Sequence, residues 1–321
     1  MKPDKLWIYL FTLSQNMWGM GDPDDKNLYT ADEETVYRES QTLRLQCDKY
    51  DELMRALPSL GFNSVLIDLG NSVKYESHPE ISQKEALSKD ELKAKLDELR
   101  ALGLTPIPKL NFSCGHNPWM RKYKYMVGTD EYYRFCDDLI DEVSELFDYP
   151  EYFHLGLDEE MGFDNHASGV LTVRAPHIWW RDAHKLFKRC EHNNARPWVW
   201  SDDYWYRPEE FIKQMPKSVL QSNWYYGPYR GKSPDGKYLQ KGFQTYVDFE
   251  ELGYDQVLTA SCWHHDTNPE ETFRIAKEDI APERMKGVMS APWDYILDEG
   301  FHLMMQDAVR FSTAKKKYFP Q

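Results

Sequence analysis

Three consecutive carboxylates give this chain its clearest chemical signal. Asp158, Glu159 and Glu160 end a short apolar segment that begins at Tyr152. Neighbouring carboxyls push their pKa values apart, so one can stay protonated while the other is ionised. Successive residues of a strand point to opposite faces, but where the chain leaves the strand both carboxyls can reach one cavity. The pattern therefore predicts acid–base chemistry by two of these three carboxyl groups.

Acidic, amide and aromatic residues also follow other apolar segments of the chain. Indole and phenol rings pack on the C–H faces of a pyranose, and carboxylates accept hydrogen bonds from its hydroxyls. Taken singly, such residues are explained by packing or by a solvated rim. Their repetition predicts a sugar-binding cleft in which a carboxyl protonates a glycosidic oxygen. The expected substrate-binding residues are Asp68, Asn111, His116, Trp224, Tyr225, Trp263, His264, Asp266, Trp293 and Asp294.

Eight short apolar segments have the length of buried strands, and stretches of helical periodicity separate them. These segments are Leu6–Leu13, Ser64–Leu69, Thr105–Asn111, Tyr152–Asp158, Pro197–Ser201, Val219–Tyr225, Gln256–Cys262 and Gly287–Trp293. Regular alternation predicts a parallel sheet, and eight is the number of strands that closes a barrel. A doubly wound sheet is the alternative, but no glycine-rich nucleotide motif follows the first segment. We predict an α/β fold, a single (β/α)8 TIM barrel that takes up residues 1–321 as one domain.

Capping signals predict where several helices begin. Ser88 and Glu91 form a capping-box pattern, and Thr30 opens the first helix in the same way. Asn268 is the expected N-cap of a later helix. The predicted strand-to-helix loops are much longer than the helix-to-strand loops. Long loops are usually functional, and in a barrel these lie on the strand C-terminal face, where active sites form.

Composition excludes several classes of partner. The formal net charge of −14 argues against nucleic acid, and no apolar stretch is long enough to cross a membrane. Five scattered cysteines predict neither a disulfide framework nor a zinc knuckle. His264 and His265, together with His116 and His154, are an alternative metal site. They lack the spacing of metal-binding histidines, so we predict neither metal nor cofactor.

The expected partner is a glycan or a small sugar. We recognise no leader sequence in the first residues. The compartment is therefore left open between the cytoplasm and a periplasmic or secreted location after processing. Association into a homo-oligomer is also left open.

Several motifs resemble those of family 20 glycoside hydrolases, the β-N-acetylhexosaminidases. The segment from His154 to Glu159 is similar to the His-x-Gly-Gly-Asp-Glu motif that ends the family's fourth strand, with Leu157 at the second glycine. The segment from Ile107 to His116 resembles the family's I-P-E-x-D-x-P-G-H sequence. The segments 219–224 and 288–294 are similar to the sixth and closing strands. The common order of these matches identifies the chain as a divergent member.

The resemblance implies a retaining hydrolase that removes terminal N-acetylhexosamine from glycans by substrate-assisted catalysis. Glu159 would be the general acid and base, and Asp158 would orient the 2-acetamido group of the substrate. Asp294 would bind distal hydroxyls. The sugar would be walled by Trp224, Trp263 and Trp293.

At three positions where the family has residues that contact the sugar, this sequence has a different residue. The family's arginine at the end of strand 1 has no counterpart between Leu13 and Trp18, and Asn111 replaces an acid of strand 3. His264 stands where the family has a tyrosine that hydrogen-bonds the acetamido carbonyl. Two alternatives therefore stay open, a glycosidase for a different sugar and a catalytically silent carbohydrate-binding barrel.

Overall fold

Eight parallel strands form a closed barrel in a computed structural model, which describes residues 4–17, 40–160 and 172–320. Each strand pairs with the next along the chain, and the last pairs with the first. The strands are β1 (Leu6–Thr12), β2 (Ser64–Asp68), β3 (Thr105–Lys109), β4 (Tyr152–His154), β5 (Arg196–Trp200), β6 (Leu220–Ser222), β7 (Gln256–Ala260) and β8 (Met285–Ser290). The predicted (β/α)8 TIM barrel is confirmed.

Helices surround this barrel. They are α1 (Cys47–Ser59), α2 (Lys89–Ala101), α3 (Asp130–Leu146), α4 (Pro176–His192), α5 (Asp203–Tyr206), α6 (Pro208–Gln214), α7 (Lys241–Leu252), α8 (Asn268–Glu278) and α9 (Asp298–Tyr318). Two 3-10 segments, Pro79–Ile81 and Pro118–Tyr125, lie in the loops after β2 and β3. None of the helices in these ranges is long and apolar enough to cross a membrane.

The helix starts agree only in part with the capping signals. The Ser88 hydroxyl accepts a hydrogen bond from the Glu91 backbone N–H (3.2 Å), and the Glu91 carboxylate accepts one from the Ser88 N–H (2.7 Å), which confirms the capping box. The predicted start at Thr30 lies outside the described residues, and residues 40–46 are not helical, so α1 begins at Cys47. Asn268 is the first residue of α8 rather than its N-cap. Its side chain is used elsewhere, since it bonds the Ser261 N–H and the Tyr225 carbonyl.

Strand alternation divides the buried residues into two layers. Residues of one parity, such as Tyr9 and Phe11, pack outward against the helices. Residues of the other parity, such as Ile8 and Leu10, fill the barrel interior. Trp198 and Trp200 supply much of that filling. The interior is therefore a packed core rather than a pore.

The seam between β1 and β8 depends on a glycine. Leu6 lies opposite Gly287 in the ladder, and a Cβ on Gly287 would overlap the backbone carbonyl of Leu6. A backbone carbonyl cannot rotate away as a side chain can. A side chain at position 287 would therefore force the closing strands apart.

We predict that Gly287→Ala lowers the free energy of unfolding by about 3 kcal/mol, because the seam must shift to admit the methyl group. Gly236→Ala is the matched control, since that glycine meets nothing within 4 Å and has a φ of +85°. Gly236→Ala should lower the free energy of unfolding by only about 1 kcal/mol, because it adds backbone strain without a steric overlap. Urea unfolding of both variants measures the difference, and equal losses would show that the seam has room for a side chain.

Candidate active site

A cavity of about 510 Å³ lies beyond the carboxyl ends of the strands. Nine of the residues predicted from the sequence to take part line it, namely Asn111, His116, Asp158, Glu159, Trp224, Trp263, His264, Trp293 and Asp294. Five further lining residues were not predicted, namely Met17, Lys109, Trp200, Tyr226 and Tyr295. The barrel therefore brings most of the expected residues to one place, and their roles stay predictions.

An irregular backbone turns both carboxylates after β4 into this cavity. Gly156, Leu157 and Glu159 have φ values of 71°, 71° and 53°, in the left-handed region. Gly156 is required there, because a Cβ would overlap the Asn111 side chain. For the other two residues the conformation costs about 1–2 kcal/mol each. Strain of this kind persists only where surrounding contacts hold it, and it commonly occurs at functional sites.

Asp158 is a buried, hydrogen-bonded carboxylate. The Asn111 amide donates to one of its oxygens at 2.8 Å, and His116 Nε2 lies 3.4 Å from the other. Burial raises the pKa of Asp158, but His116, Lys109 and Asn111 outweigh burial and hold it well below its usual range. Asp158 is therefore ionised at neutral pH.

His116 connects the two carboxylates. Its Nε2 also lies 3.0 Å from a Glu159 oxygen, and its Nδ1 lies 3.3 Å from the Met17 carbonyl oxygen. A carbonyl can only accept, so Nδ1 carries a proton, and Nε2 faces two acids. Burial lowers the pKa of His116, but Asp158 and Glu159 raise it well above the ordinary value. The side chain is therefore an imidazolium at neutral pH.

A buried ion pair lies below this group. Lys109 and Asp68 face each other across the β2–β3 ladder, and the Lys109 ammonium donates to the Asp68 carboxylate. Sequence reasoning expected Asp68 to bind substrate. The structure places Asp68 buried against Lys109, and of these two residues it is Lys109 that lines the cavity. Burial raises the pKa of Asp68, and Lys109 opposes that rise.

Asp202 is a third carboxyl close to the pair, and it was not among the predicted site residues. It follows β5 and accepts a hydrogen bond from the Glu159 backbone N–H at 2.9 Å. Burial, followed by the charges of Asp158 and Glu159, raises its pKa well above the ordinary value. Asp202 therefore holds the strained Glu159 backbone, and its surroundings favour its protonated form. Its position after a strand end, beside Trp200 in sequence, is the signal that could have identified it.

Aromatic rings form the walls. Trp224 stacks on Tyr226 with ring centroids 5.5 Å apart and planes 21° apart, and Trp205 meets Trp224 edge-on at 4.7 Å. Trp293 packs against Trp200 at 5.9 Å. At the rim, 57% of Trp263 is exposed beside His264. The inner part of the cavity is therefore an aromatic box, and its mouth carries an open platform.

Two predicted substrate-binding residues lie away from the cavity lining. The ring of Tyr225 packs on Phe243 at 4.7 Å, and the next residue, Tyr226, takes the inward position. Alternation along an extended chain makes such an assignment sensitive to a shift of one residue. Asp266 pairs with Arg310 of α9 at 2.7 Å. The structure therefore does not bring these two residues to the cavity, and their predicted role in binding stays a prediction.

Glu160 is positioned differently from its two neighbours. Its carboxylate is paired with Arg174, which also contacts Asp182 at 3.2 Å. This buried ion-pair network ties the chain after β4 to α4. Glu160 is therefore held by an arginine away from the cavity, whereas Glu159 contacts His116 and lines the cavity.

The side chains of His116, Asp158 and Glu159 also have the composition of a metal site. One ligand atom from each lies within 4.8 Å of the others. A metal ion needs the free lone pair of His116 Nε2, so binding would have to displace a proton. The raised pKa of His116 opposes that displacement.

Comparisons with known proteins connect this barrel to one group of structures. No protein-family model matches the chain, and no curated protein sequence matches it. Among solved structures, Flavobacterium johnsoniae chitobiase matches with a TM-score of 0.61 at 17% identity over 84% of this chain and 46% of that chain. The pneumococcal virulence factor StrH matches with a TM-score of 0.59 at 14% identity over 98% of this chain and 86% of that chain.

A third match is the β-N-acetylhexosaminidase from Bacteroides fragilis, with a TM-score of 0.60 at 12% identity over 96% of this chain and 66% of that chain. The chain thus spans less than half of the chitobiase and about two thirds of the Bacteroides enzyme. At these identities the matches show a shared fold. The fold is the one expected from the sequence motifs.

We predict that His116→Gln changes how stability depends on pH. A raised pKa in the folded state stabilises the protein fully below the ordinary value of 6.5, and this contribution is lost as the pH rises toward the folded-state pKa. The difference in unfolding free energy between wild type and His116→Gln should therefore shrink from about pH 7 upward, by up to about 1.4 kcal/mol per pH unit. Urea unfolding from pH 6 to 10 measures it.

His264→Gln is the control, because His264 lies exposed at the rim. Its pH profile should run parallel to that of the wild type. A His116→Gln profile that also runs parallel to the wild type would show that His116 is not held as an imidazolium.

Proposed function

We propose that this chain is a retaining glycoside hydrolase of family 20 type that removes terminal N-acetylhexosamine from glycans. One observation carries the proposal, namely an ionised Asp158 and an accessible Glu159 bridged by His116 at the base of an aromatic cavity. The shared fold supports it, since the similar structures include a chitobiase and a β-N-acetylhexosaminidase. The aromatic walls match the apolar faces of a pyranose.

Glu159 is assigned the role of general acid. Its side chain is 39% exposed and lines the cavity, so it can reach a leaving-group oxygen. Behind it, Lys109 faces Asp68 and His116 faces Asp158. Each of these two carboxylates therefore has a cation beside it, as charges removed from water require.

Asp158 is assigned the role of amide anchor. Asp158 is a buried carboxylate held by Asn111 and His116. It accepts a hydrogen bond from the N–H of the 2-acetamido group, and this hydrogen bond turns the carbonyl oxygen of that group toward the anomeric carbon. Well-placed intramolecular groups reach effective molarities of about 10⁵ M or more. The amide oxygen can therefore replace a protein nucleophile, as in the substrate-assisted exceptions to the two-carboxylate rule.

The reaction then has two steps. First, the acetamido oxygen attacks the anomeric carbon, the glycosidic bond breaks, and Glu159 gives its proton to the departing oxygen. Second, the Glu159 carboxylate takes a proton from water, and that water opens the cyclic intermediate on the face that the leaving group occupied. Two inversions give retention of configuration. These steps use the side chains, the substrate and one water molecule.

A different sugar is the alternative that a specific observation favours. The Asn16 amide after β1, where the family has an arginine nearby, donates to the Ser40 carbonyl and the Asn71 side chain at 3.0 Å and 2.9 Å. It is used inside the protein instead of reaching toward a sugar hydroxyl. The distal part of the sugar would then be recognised by Asp294 and by the rim.

A panel of nitrophenyl glycosides separates the candidate functions. Cleavage of the N-acetylglucosaminide or the N-acetylgalactosaminide is the expected result. Cleavage of 2-hydroxy glycosides alone would replace the proposal with a glycosidase for another sugar. Sugar binding without any turnover would indicate a silent binding barrel.

We predict that Glu159→Gln lowers kcat/KM by about 10² to 10⁴ on substrates with poor leaving groups, because these need protonation. Dinitrophenyl glycosides have an acidic leaving group and should lose far less. Glu160→Gln is the matched control, since Glu160 is held by Arg174. Its effect should be the same on both substrates. If Glu159→Gln lowers kcat/KM equally on both kinds of substrate, Glu159 is not the proton donor.

A further inference from the structure

A single peptide unit joins Asp158 to Glu159, and both of its polar groups have side-chain partners. The Ser113 hydroxyl donates a hydrogen bond to the Asp158 carbonyl oxygen. The Glu159 N–H donates to the Asp202 carboxyl at 2.9 Å. This carbonyl and this N–H belong to the same planar trans peptide, in which they point in opposite directions. The peptide is therefore held from two sides.

The two holding groups come from the strands on either side of β4. Ser113 follows β3 and Asp202 follows β5, and β4 lies between these strands in the barrel. Both side chains are buried, so water does not compete for either hydrogen bond. The Ser113 oxygen accepts from the Gly115 N–H at 2.9 Å, which leaves the hydroxyl proton for the Asp158 carbonyl.

Gly115 lets the loop after β3 approach this peptide closely. A Cβ at position 115 would overlap the Glu159 carbonyl oxygen, and a backbone oxygen cannot rotate away as the end of a side chain can. The loop that carries Ser113 is therefore fitted to one position of the backbone after β4.

The backbone at this peptide requires such support. Glu159 has a φ of 53°, and a residue with a side chain keeps this left-handed conformation only where surrounding contacts enforce it. Rotation of the peptide plane would change φ of Glu159 and redirect its side chain. The Asp158 carboxylate is held separately by the Asn111 amide at 2.8 Å. Loss of the support would therefore misplace Glu159 more than Asp158.

We propose that Ser113 and Asp202 are positioning residues that form a peptide clamp, which holds the Asp158–Glu159 peptide and thereby aims the Glu159 carboxyl at the leaving-group oxygen. This inference rests on the proposed function, because it takes Glu159 as the proton donor. Neither Ser113 nor Asp202 lines the cavity, so both act through Glu159 instead of touching the substrate.

The test removes each half of the peptide clamp. Asp202→Leu removes the acceptor of the Glu159 N–H, whereas Asp202→Asn keeps an acceptor oxygen and matches the uncharged form that the raised pKa of Asp202 favours. Ser113→Ala removes the donor to the Asp158 carbonyl. Asp203→Leu is the matched control, because it removes the neighbouring buried carboxyl, which is paired with Arg207.

The measurement is kcat/KM on phenyl N-acetylglucosaminide, a poor leaving group, and on the dinitrophenyl glycoside, an acidic one. Thermal unfolding checks that each variant is folded, and Ser113→Ala decides the question alone if Asp202→Leu does not fold.

Asp202→Leu and Ser113→Ala should lower kcat/KM on the phenyl glycoside about tenfold or more, because a misplaced acid protonates poorly. The dinitrophenyl glycoside should lose far less. Asp202→Asn should keep most of the activity, and Asp203→Leu should affect both substrates equally. In a Glu159→Gln background, Asp202→Leu should add little further loss, because residues that act as a unit are not additive.

Unchanged kcat/KM on the phenyl glycoside in either clamp variant would overturn the proposal, as would equal losses on the two substrates. A full additional loss in the Glu159→Gln background, or the same substrate dependence in Asp203→Leu, would overturn it as well. If the wild-type protein cleaves neither glycoside, the proposed function fails together with this inference. If the wild type cleaves both and the clamp variants cleave them equally well, only the peptide clamp fails.

Discussion

Charge balance at the closed end of the cavity is the constraint on which the rest of the site depends. Four carboxyl groups and two cations meet there among the described residues, namely Asp68, Asp158, Glu159, Asp202, Lys109 and His116. Charges removed from water are tolerated only when they are paired or neutralised. Each cation accordingly faces a carboxylate, and Asp202 has a raised pKa. The groups come from segments that follow or belong to β2, β3, β4 and β5, which are neighbours in the sheet, so parallel pairing of adjacent strands brings the groups together.

The amide of Asn111 links this charge balance to the backbone. Its oxygen accepts hydrogen bonds from the N–H groups of Ser113 and Leu157, and its nitrogen donates to Asp158. An aspartate at this position would place a second negative charge against Asp158 and could not donate to it. Together with the hydrogen bond from the Glu159 N–H to Asp202, Asn111 fixes the left-handed segment after β4. The asparagine is therefore consistent with an ionised Asp158, although it departs from the family's pattern.

Much of the fold could be predicted from the sequence, because periodicity and capping are local properties. Eight strand segments and the Ser88 capping box were recognisable, as were the carboxylates after β4. What could not be predicted depends on register and on distant partners. Lys109 pairs with Asp68 because the β2–β3 register places them opposite each other, and Asp266 turns to Arg310, which lies 44 residues along the chain. Tyr226 rather than Tyr225 faces the cavity because of the parity of one extended segment, which its composition does not reveal.

The central claim is that the substrate's own amide, oriented by Asp158, is the nucleophile at the anomeric carbon. The most direct test measures kcat/KM for a series of aryl glycosides whose N-acetyl group carries zero, one, two or three fluorine atoms. Fluorine withdraws electrons from the amide oxygen and hardly changes the size of the group. If the amide attacks, kcat/KM should fall steeply with each added fluorine. If kcat/KM is independent of fluorination, a protein carboxylate is the nucleophile and the account is contradicted.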